Sequence, residues 1–356
     1  MNKAKAITLQ PEHQISLRED ANPDDILLIS YLGKLAFKIK ANSFREQIAT
    51  YISNSIQDVV PINSAATGFI KRKSYLDFLS PHRRSSFFIR LDVKDFFHSI
   101  REEDIKKSLS NYILPSHIMI DDKKTPTIDL LIKYVMHEIP DDFPDENLKG
   151  KKILPIGFPS SPSISNLVFR KIDILISKYC QHENIIYTRY ADDLLFSSEK
   201  KLPPELENKV SEYLSILSLK KNNKKTLCTK SHISINGYVI DGEKNSIRLS
   251  NHKLQRINKL THAIINRKDS PREIMKVMYG KTFSQYPFNY TNGKGNFYKK
   301  YCIDQIDNKL KGYRSYLLSI IKYDNNQAII TSTHKEKIMT VITRIEKCID
   351  IYHQLK

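Results

Sequence analysis

Residues 184–198, NIIYTRYADDLLFSS, decide how this chain is read. Two short runs rich in Ile, Tyr, Leu and Phe flank the polar pair Asp192-Asp193, which is the pattern of a β-hairpin with the two carboxylates at its turn. Aspartate favours turns for local reasons, so the pair alone says little. Its surroundings say more. Upstream, SSFFIRLDV (residues 85–93) is another short apolar run, bounded by PHRRS, and reads as a buried strand with Asp92 at its exposed end. An aspartate ending one strand beside an Asp-Asp hairpin on its neighbour gathers three carboxylates at one edge of a sheet. Phosphoryl transfer by two Mg²⁺ ions roughly 3.5–4 Å apart needs such bridging carboxylates. Water fills the remaining coordination positions.

Outward from this pair, helix-like and strand-like segments intermix. SPSISNLVFRKIDILISKYC (161–180) predicts a long helix after the GFPSSP turn, and LPPELENKVSEYLSIL (202–217) a shorter one. REEDIKKSLSNYIL (101–114) carries acidic residues at its first turn, as a helix dipole favours, and TPTIDLLIKYVMHEI (125–139) is a further helix candidate. Residues 26–60 read as helical, with apolar residues near three-to-four spacing in LLISYLGKLAFKI and again in FREQIATYISNSIQDVV. SHISINGYVIDGEKNSIRLS (231–250) predicts strands joined at Asn-Gly and Asp-Gly turns. Basic helices follow, interrupted by an aromatic stretch at 280–301. The natural boundary in this pattern lies at 245–252.

Charge sharpens the picture. The chain carries a net charge of +18, and residues 201–356 hold 29 Lys and Arg against 13 Asp and Glu. A near-neutral first part joined to a strongly basic second part points to a polyanion lying against the latter. Lysine, asparagine and isoleucine are abundant throughout, so a generally lysine-rich surface is the competing reading. Lys253, Arg256 and Lys259 fall on one helical face, spaced to track phosphates. Within 280–301, Phe283, Tyr286, Phe288, Tyr290, Phe297, Tyr298 and Tyr301 interleave with Lys281, Lys294, Lys299 and Lys300. That mixture suits stacking on unpaired RNA bases with phosphate contact, and reads equally as a loop packed on the helices. No apolar run approaches the roughly 20 residues of a membrane span. The first residues, MNKAKAITLQPEHQ, lack a secretory core, and Cys180, Cys228, Cys302 and Cys348 are scattered without metal or disulfide spacing. A cytoplasmic protein with reduced, mostly buried thiols is expected.

Four blocks, in order, resemble the bacterial retron-type reverse transcriptases. They are LDVKDFF (91–97), LPIGFPSSPSISN (154–166), RYADDLLFSS (189–198), and NNKKT (222–226) followed by INGYVID (235–241). Weaker similarity extends to SAATGFIKRKS upstream and KLKGYRSYLLSI downstream. The resemblance implies an α+β, right-hand polymerase fold. Residues 1–90 would form N-terminal helices and fingers, and 91–250 a palm whose antiparallel sheet bears the YADD hairpin. Residues 251–356 would form a basic helical thumb. The second block departs from the family, which carries Gln where Ile156 stands and no bulky Phe158 after Gly157. Only His82 survives of the retron Asn-Ala-x-x-His element, and Ile235-Asn236-Gly237 replaces Val-Thr-Gly. Defence-associated and abortive-infection reverse transcriptases share the core and vary at these places.

By the same resemblance, Asp92 and Asp192 bind both Mg²⁺ ions, with Asp193 beside them and the carbonyl of Val93 as an added ligand; Mn²⁺ is a possible substitute. Phe97 lies under the sugar and excludes a 2′-hydroxyl, favouring dNTPs, although a lone Phe reads equally as a core aromatic. Ile156 and Gly157 line the nucleotide site, Lys225 assists pyrophosphate departure, and Lys73, Arg83 and Arg84 hold the triphosphate. Asn236 and Gly237 form the primer grip. The implied activity is RNA-directed DNA synthesis on a structured noncoding RNA template, giving a DNA product in antiphage defence, with a separate effector protein. Untemplated or protein-primed DNA synthesis is the first alternative, motivated by Ile156 and Phe158. A catalytically silent RNA-binding module is the second.

Overall fold

The computed structural model describes Ile7 and residues 22–31, 34–120, 122–280, 295–324 and 328–353. These fall into two compact units. The first comprises Met1–Pro81 with Phe87–Thr229, the second His82–Ser86 with Lys230–Lys356.

The first unit begins with strands β1 (Ile26–Tyr31) and β2 (Lys34–Ile39), paired antiparallel with Ile26 opposite Ile39. Residues 26–39 are thus a hairpin and not the helix that their spacing predicts: clustered apolar residues satisfy either periodicity, and strand pairing decides between them. Helix α1 (Phe44–Val59) does form where expected. Ser43 caps it by accepting the Glu46 N–H, while Ile48, Ile52 and Ile56 recur at one-turn spacing on its buried face. Helix α2 (Tyr75–Leu79) and strand β3 (Phe87–Asp92) follow. Then come α3 (Glu102–Leu109), the hairpin β4 (His117–Ile120) and β5 (Lys123–Pro126), and α4 (Thr127–Val135). The short pair β6 (His137–Glu138) and β7 (Lys152–Ile153) leads to α5 (Ser161–His182), the long helix read from the sequence.

The hairpin of β8 (Ile186–Tyr190) and β9 (Asp193–Ser198) precedes α6 (Leu206–Ser215) and β10 (Leu227–Lys230). The central sheet runs β10-β3-β9-β8. Beside it one core joins Ile48, Ile52 and Ile56 to Ile164, Phe169, Ile172 and the inward residues Leu194 and Phe196. A second cluster unites Phe37, Ile39, Phe143, Ile153 and Phe158.

In the second unit, β11 (His232–Ile235), β12 (Tyr238–Asp241) and β13 (Ser246–Leu249) form an antiparallel meander. Its first turn places Asn236 at φ 48° and Gly237 at φ 87°, as Asn-Gly foretells. Helices α7 (Asn251–Ile265), α8 (Pro271–Tyr279), α9 (Gly295–Asp324) and α10 (Ser332–His353) complete it. This compact unit takes in the meander together with the helices, from Lys230 onward. Two bonds tie the meander to α10 and to the irregular stretch just before it. The Ile247 N–H donates to the Ile329 carbonyl at 2.8 Å, and the Leu249 N–H to His334 Nε2 at 2.9 Å. Burial pushes His334 down to about 4, which keeps it a neutral acceptor. Ser231 N–H donates to the Ser86 carbonyl at 2.7 Å, attaching the 82–86 segment to this unit.

Among the described residues no helix is long and apolar enough to cross a membrane. Cys180, Cys302 and Cys348 are buried thiols, and Cys228 is an exposed one.

Candidate active site

Strand pairing sets the site. Asp92, the last residue of β3, lies directly opposite Asp193, the first residue of β9, and Asp193 also faces Tyr190 across the hairpin. The turn proper is Ala191-Asp192, with Ala191 in the left-handed region at φ 55°. Asp92 and Asp193 are only 3% and 7% exposed. Two carboxylates therefore share one register position, with the third on the adjoining turn.

The unit's own polar groups hold these carboxylates. Asn222 donates through Nδ2 to Asp92 Oδ1, and Lys225 through Nζ to Asp92 Oδ2, each at 2.9 Å. The Asn222 N–H also donates to the Asp92 carbonyl at 2.8 Å. Arg90 reaches Asp193 Oδ1 through Nε at 2.9 Å and Nη2 at 2.6 Å. Burial, and then the charges of Asp193 and Asp92, push the Asp192 carboxyl above its ordinary value. Burial likewise raises Asp193, against the opposing pull of Arg90. The hydrogen bond to Asp92 raises the Lys225 ammonium, so it stays charged.

Three mutually repelling carboxylates offer hard oxygen donors and a local excess of negative charge, which fits a divalent cation such as the family uses. Asp92, Asp192 and Asp193 would hold it. Val93 is buried, so it offers only its main chain, and its N–H already donates to the Asp192 carbonyl at 2.9 Å. Among the described residues no three His, Cys, Asp or Glu side chains converge as a ready-made cage. Lys225 and Arg90 occupy oxygens of two of the carboxylates.

Other residues named from the sequence are distributed as follows. Phe97 is half-buried, its ring 5.4 Å from Phe96 and 6.1 Å from Phe69, and Phe69 lies 6.1 Å from Tyr190. Phe97 is thus joined through Phe69 to the YADD hairpin. Ile156 is 42% exposed, and its carbonyl accepts the Phe37 N–H at 2.8 Å. Gly157, at φ 109°, presses against the Phe37 carbonyl, where an added Cβ would come within 2.3 Å. Phe158 is buried in the cluster with Phe37 and Phe143. Lys73 is an exposed loop residue.

Arg83 and Arg84 belong to the second unit, as do Asn236 and Gly237 of the meander. There Lys253 is half-buried with Nζ 5.1 Å from the Tyr316 ring, and burial lowers its pKa. Arg256, Lys259, Lys299 and Lys300 are exposed, the last two on α9 rather than in a loop. Phe283, Tyr286, Phe288, Tyr290, Lys281 and Lys294 lie outside the described residues.

Two carboxylate partners, Arg90 and Asn222, are not among the residues expected from the sequence. The first had a signal: strand periodicity puts Arg90 on the same face as Asp92. Asn222 had none beyond its place in NNKKT.

An antiparallel sheet presenting paired aspartates beside a YADD turn is the palm of a right-hand polymerase. Residues 41–240 match the family described as reverse transcriptase (RNA-dependent DNA polymerase), and the chain belongs to that family. It is similar to the retron Ec83 reverse transcriptase of Escherichia coli, 33% identical over 140 residues, spanning 39% of this chain and 41% of that protein. It is also 27% identical over 226 residues to the retron Ec86 reverse transcriptase of Escherichia coli, spanning 63% of each. In both cases the match covers less than two thirds of the relative's length. Among solved structures, telomerase from Candida albicans, in complex with a fragment of telomeric RNA, aligns with 92% of this chain and 60% of its own. The TM-score is 0.44 and the identity 11%.

Proposed function

We propose that this chain is an RNA-directed DNA polymerase that copies a structured noncoding RNA into DNA in the bacterial cytoplasm, serving antiphage defence with a separate effector protein. The observation that supports it most is the register pairing of Asp92 with Asp193 beside Asp192, with Lys225 at their edge. Two Mg²⁺ ions, or Mn²⁺ in their place, would supply activation of the primer hydroxyl and stabilisation of the departing pyrophosphate.

The chain's own residues do the rest. Asp92, Asp192 and Asp193 concentrate negative charge where the cations bind, with the Val93 carbonyl as a further donor. Phe97 limits the space under the sugar and selects dNTPs. Ile156 and Gly157 border the base. Lys225 turns from Asp92 towards the leaving phosphates, and Lys73, Arg83 and Arg84 neutralise the triphosphate. Asn236 and Gly237 steady the primer end, while Lys253, Arg256, Lys259, Lys299 and Lys300 follow the template and product backbones. In this reading residues 1–90 are fingers, 91–250 palm and 251–356 thumb.

The test is extension of a primed RNA template with labelled dNTPs and Mg²⁺. The parent incorporates nucleotide, and Asp192→Ala with Asp193→Ala lowers the rate by at least about 10²-fold, the scale of losing a transition-state charge stabiliser. Parental activity in that double variant sinks the mechanism. The exposed aliphatic side chain of Ile156 favours one second reading, untemplated or protein-primed synthesis. Product sequencing separates the two: homopolymers or short repeats without a matching RNA select the second reading. No incorporation with any template or primer would revive the silent RNA-binding module.

A further inference from the structure

Beneath the YADD turn lies a charged cluster that the proposed chemistry leaves unused. Arg189, on β8, is fully buried, and so is its partner Asp173 on α5. Its Nε donates to Asp173 Oδ1 at 2.9 Å and its Nη2 to Asp173 Oδ2 at 2.7 Å, a two-pronged pair. The remaining nitrogen, Nη1, donates to the Ala191 carbonyl at 3.0 Å. The Tyr187 hydroxyl donates to Asp173 Oδ1 at 2.8 Å, and the Phe169 ring lies 4.5 Å from the guanidinium carbon.

A buried ion pair is weak evidence of stabilisation, because desolvation offsets its attraction and apolar residues of similar volume often serve as well. What an apolar pair does not supply is the third bond. The Ala191 carbonyl belongs to the peptide that leads into Asp192, so its orientation sets the direction in which the Asp192 side chain leaves the turn. The other side of Ala191 is fixed too: the space a Cβ on Gly68 would need lies 2.7 Å from the Ala191 nitrogen. The loop that carries Gly68 is tied to the Arg189 main chain. Arg189 N–H donates to the Ala65 carbonyl at 2.7 Å, and Thr67 N–H donates to the Arg189 carbonyl at 2.8 Å. Ala191 is thereby held at a left-handed φ that non-glycine residues seldom adopt.

We infer that Arg189, braced by Asp173, is a positioning residue that fixes the Ala191–Asp192 peptide and so aims the Asp192 carboxylate at the cation. This rests on the reading of Asp192 as a metal ligand. Only a guanidinium grips both oxygens of one carboxylate and a third acceptor at once; a lysine ammonium is a point donor.

The test uses the full chain and reads Mn²⁺ binding by the loss of the free-ion paramagnetic resonance signal, without nucleic acid, alongside thermal midpoint, kcat and dNTP KM. Arg189→Met with Asp173→Asn removes both charges and leaves Tyr187 an acceptor, so the fold and its midpoint persist. Mn²⁺ affinity and kcat are expected to fall about 10- to 100-fold, the range for partners that orient a ligand, with KM nearly unchanged. Arg189→Lys is expected to fall between the two. A folded double variant with parental Mn²⁺ affinity and kcat overturns the inference while leaving the metal site standing. If the double variant fails to fold, Arg189→Lys decides, and parental values there overturn the inference. If the parent binds Mn²⁺ no better than Asp192→Ala with Asp193→Ala, the metal reading itself fails and takes this inference with it.

Discussion

Asp192 stands on a two-residue turn with Asp193 beside it and Asp92 across the ladder, and its proton equilibrium records that crowding. Its carboxyl is raised by burial and then by its neighbours' charges, so the folded state binds protons more readily than the unfolded one. Stability linked to this group therefore falls as pH rises through the window from the ordinary carboxylate value to the raised one. In a chelating buffer the Asp192→Asn variant is expected to melt above the parent at neutral pH, and the difference to close at acid pH. Saturating Mg²⁺ should reverse the order, because binding stabilises only the chain that keeps the ligand. Melting curves at several pH values, with EDTA or Mg²⁺, check both signs; a variant that melts below the parent in EDTA at neutral pH counts against a repulsive cluster.

Between elements, the decisive joint is the one that ties the 154–158 segment to β2. The Phe37 N–H donates to the Ile156 carbonyl, Gly157 turns with φ 109° against the Phe37 carbonyl, and Phe158 is buried in the cluster behind. A side chain at Gly157 would be strained in its backbone conformation and would collide with main chain, which has no flexible end to yield. Gly157→Ala is expected to cost about 1–3 kcal/mol from backbone strain alone. Urea unfolding measures it, and a near-neutral result would mean that β2 and this segment separate easily. Gly237, although also at positive φ, meets only the side chain of Lys253 at 3.5 Å, so strain there would not be compounded by a main-chain clash.

On the scale of the whole molecule the asymmetry of charge dominates, with most of the +18 net charge carried after residue 200. If the second unit follows phosphates, its affinity for a nucleic acid duplex must fall steeply with salt as counterions are released. Arg256 and Lys259 are exposed, whereas Lys253 is half-buried over Tyr316, so the first two are the side chains to remove. Arg256→Gln with Lys259→Gln is expected to flatten the slope of log affinity against log salt by about 0.7–0.9 per lost contact. Titrations of labelled template-primer at several salt concentrations give that slope, and an unchanged slope would place phosphate contact elsewhere.

The chain's local text was enough for the elements that matter most. Alternation in 184–198, the strand ending on Asp92, the long helix after GFPSSP and the Asn-Gly turn are patterns of near neighbours, and all of them form. Those patterns name the carboxylates without naming their partners. That Lys225 and Asn222 close on Asp92, that Arg90 grips Asp193, and that Arg189 with Asp173 underlies the turn depends on segments far apart in the chain. The same holds for 26–39, whose apolar residues fit a helix until a partner strand is supplied, and for Phe158, whose burial beside Phe37 and Phe143 joins distant segments. The meander likewise bonds, through Leu249, to His334 on a helix far along the chain. Periodicity is a property of neighbours along the chain, whereas hydrogen-bond and packing partners are chosen only when distant segments meet.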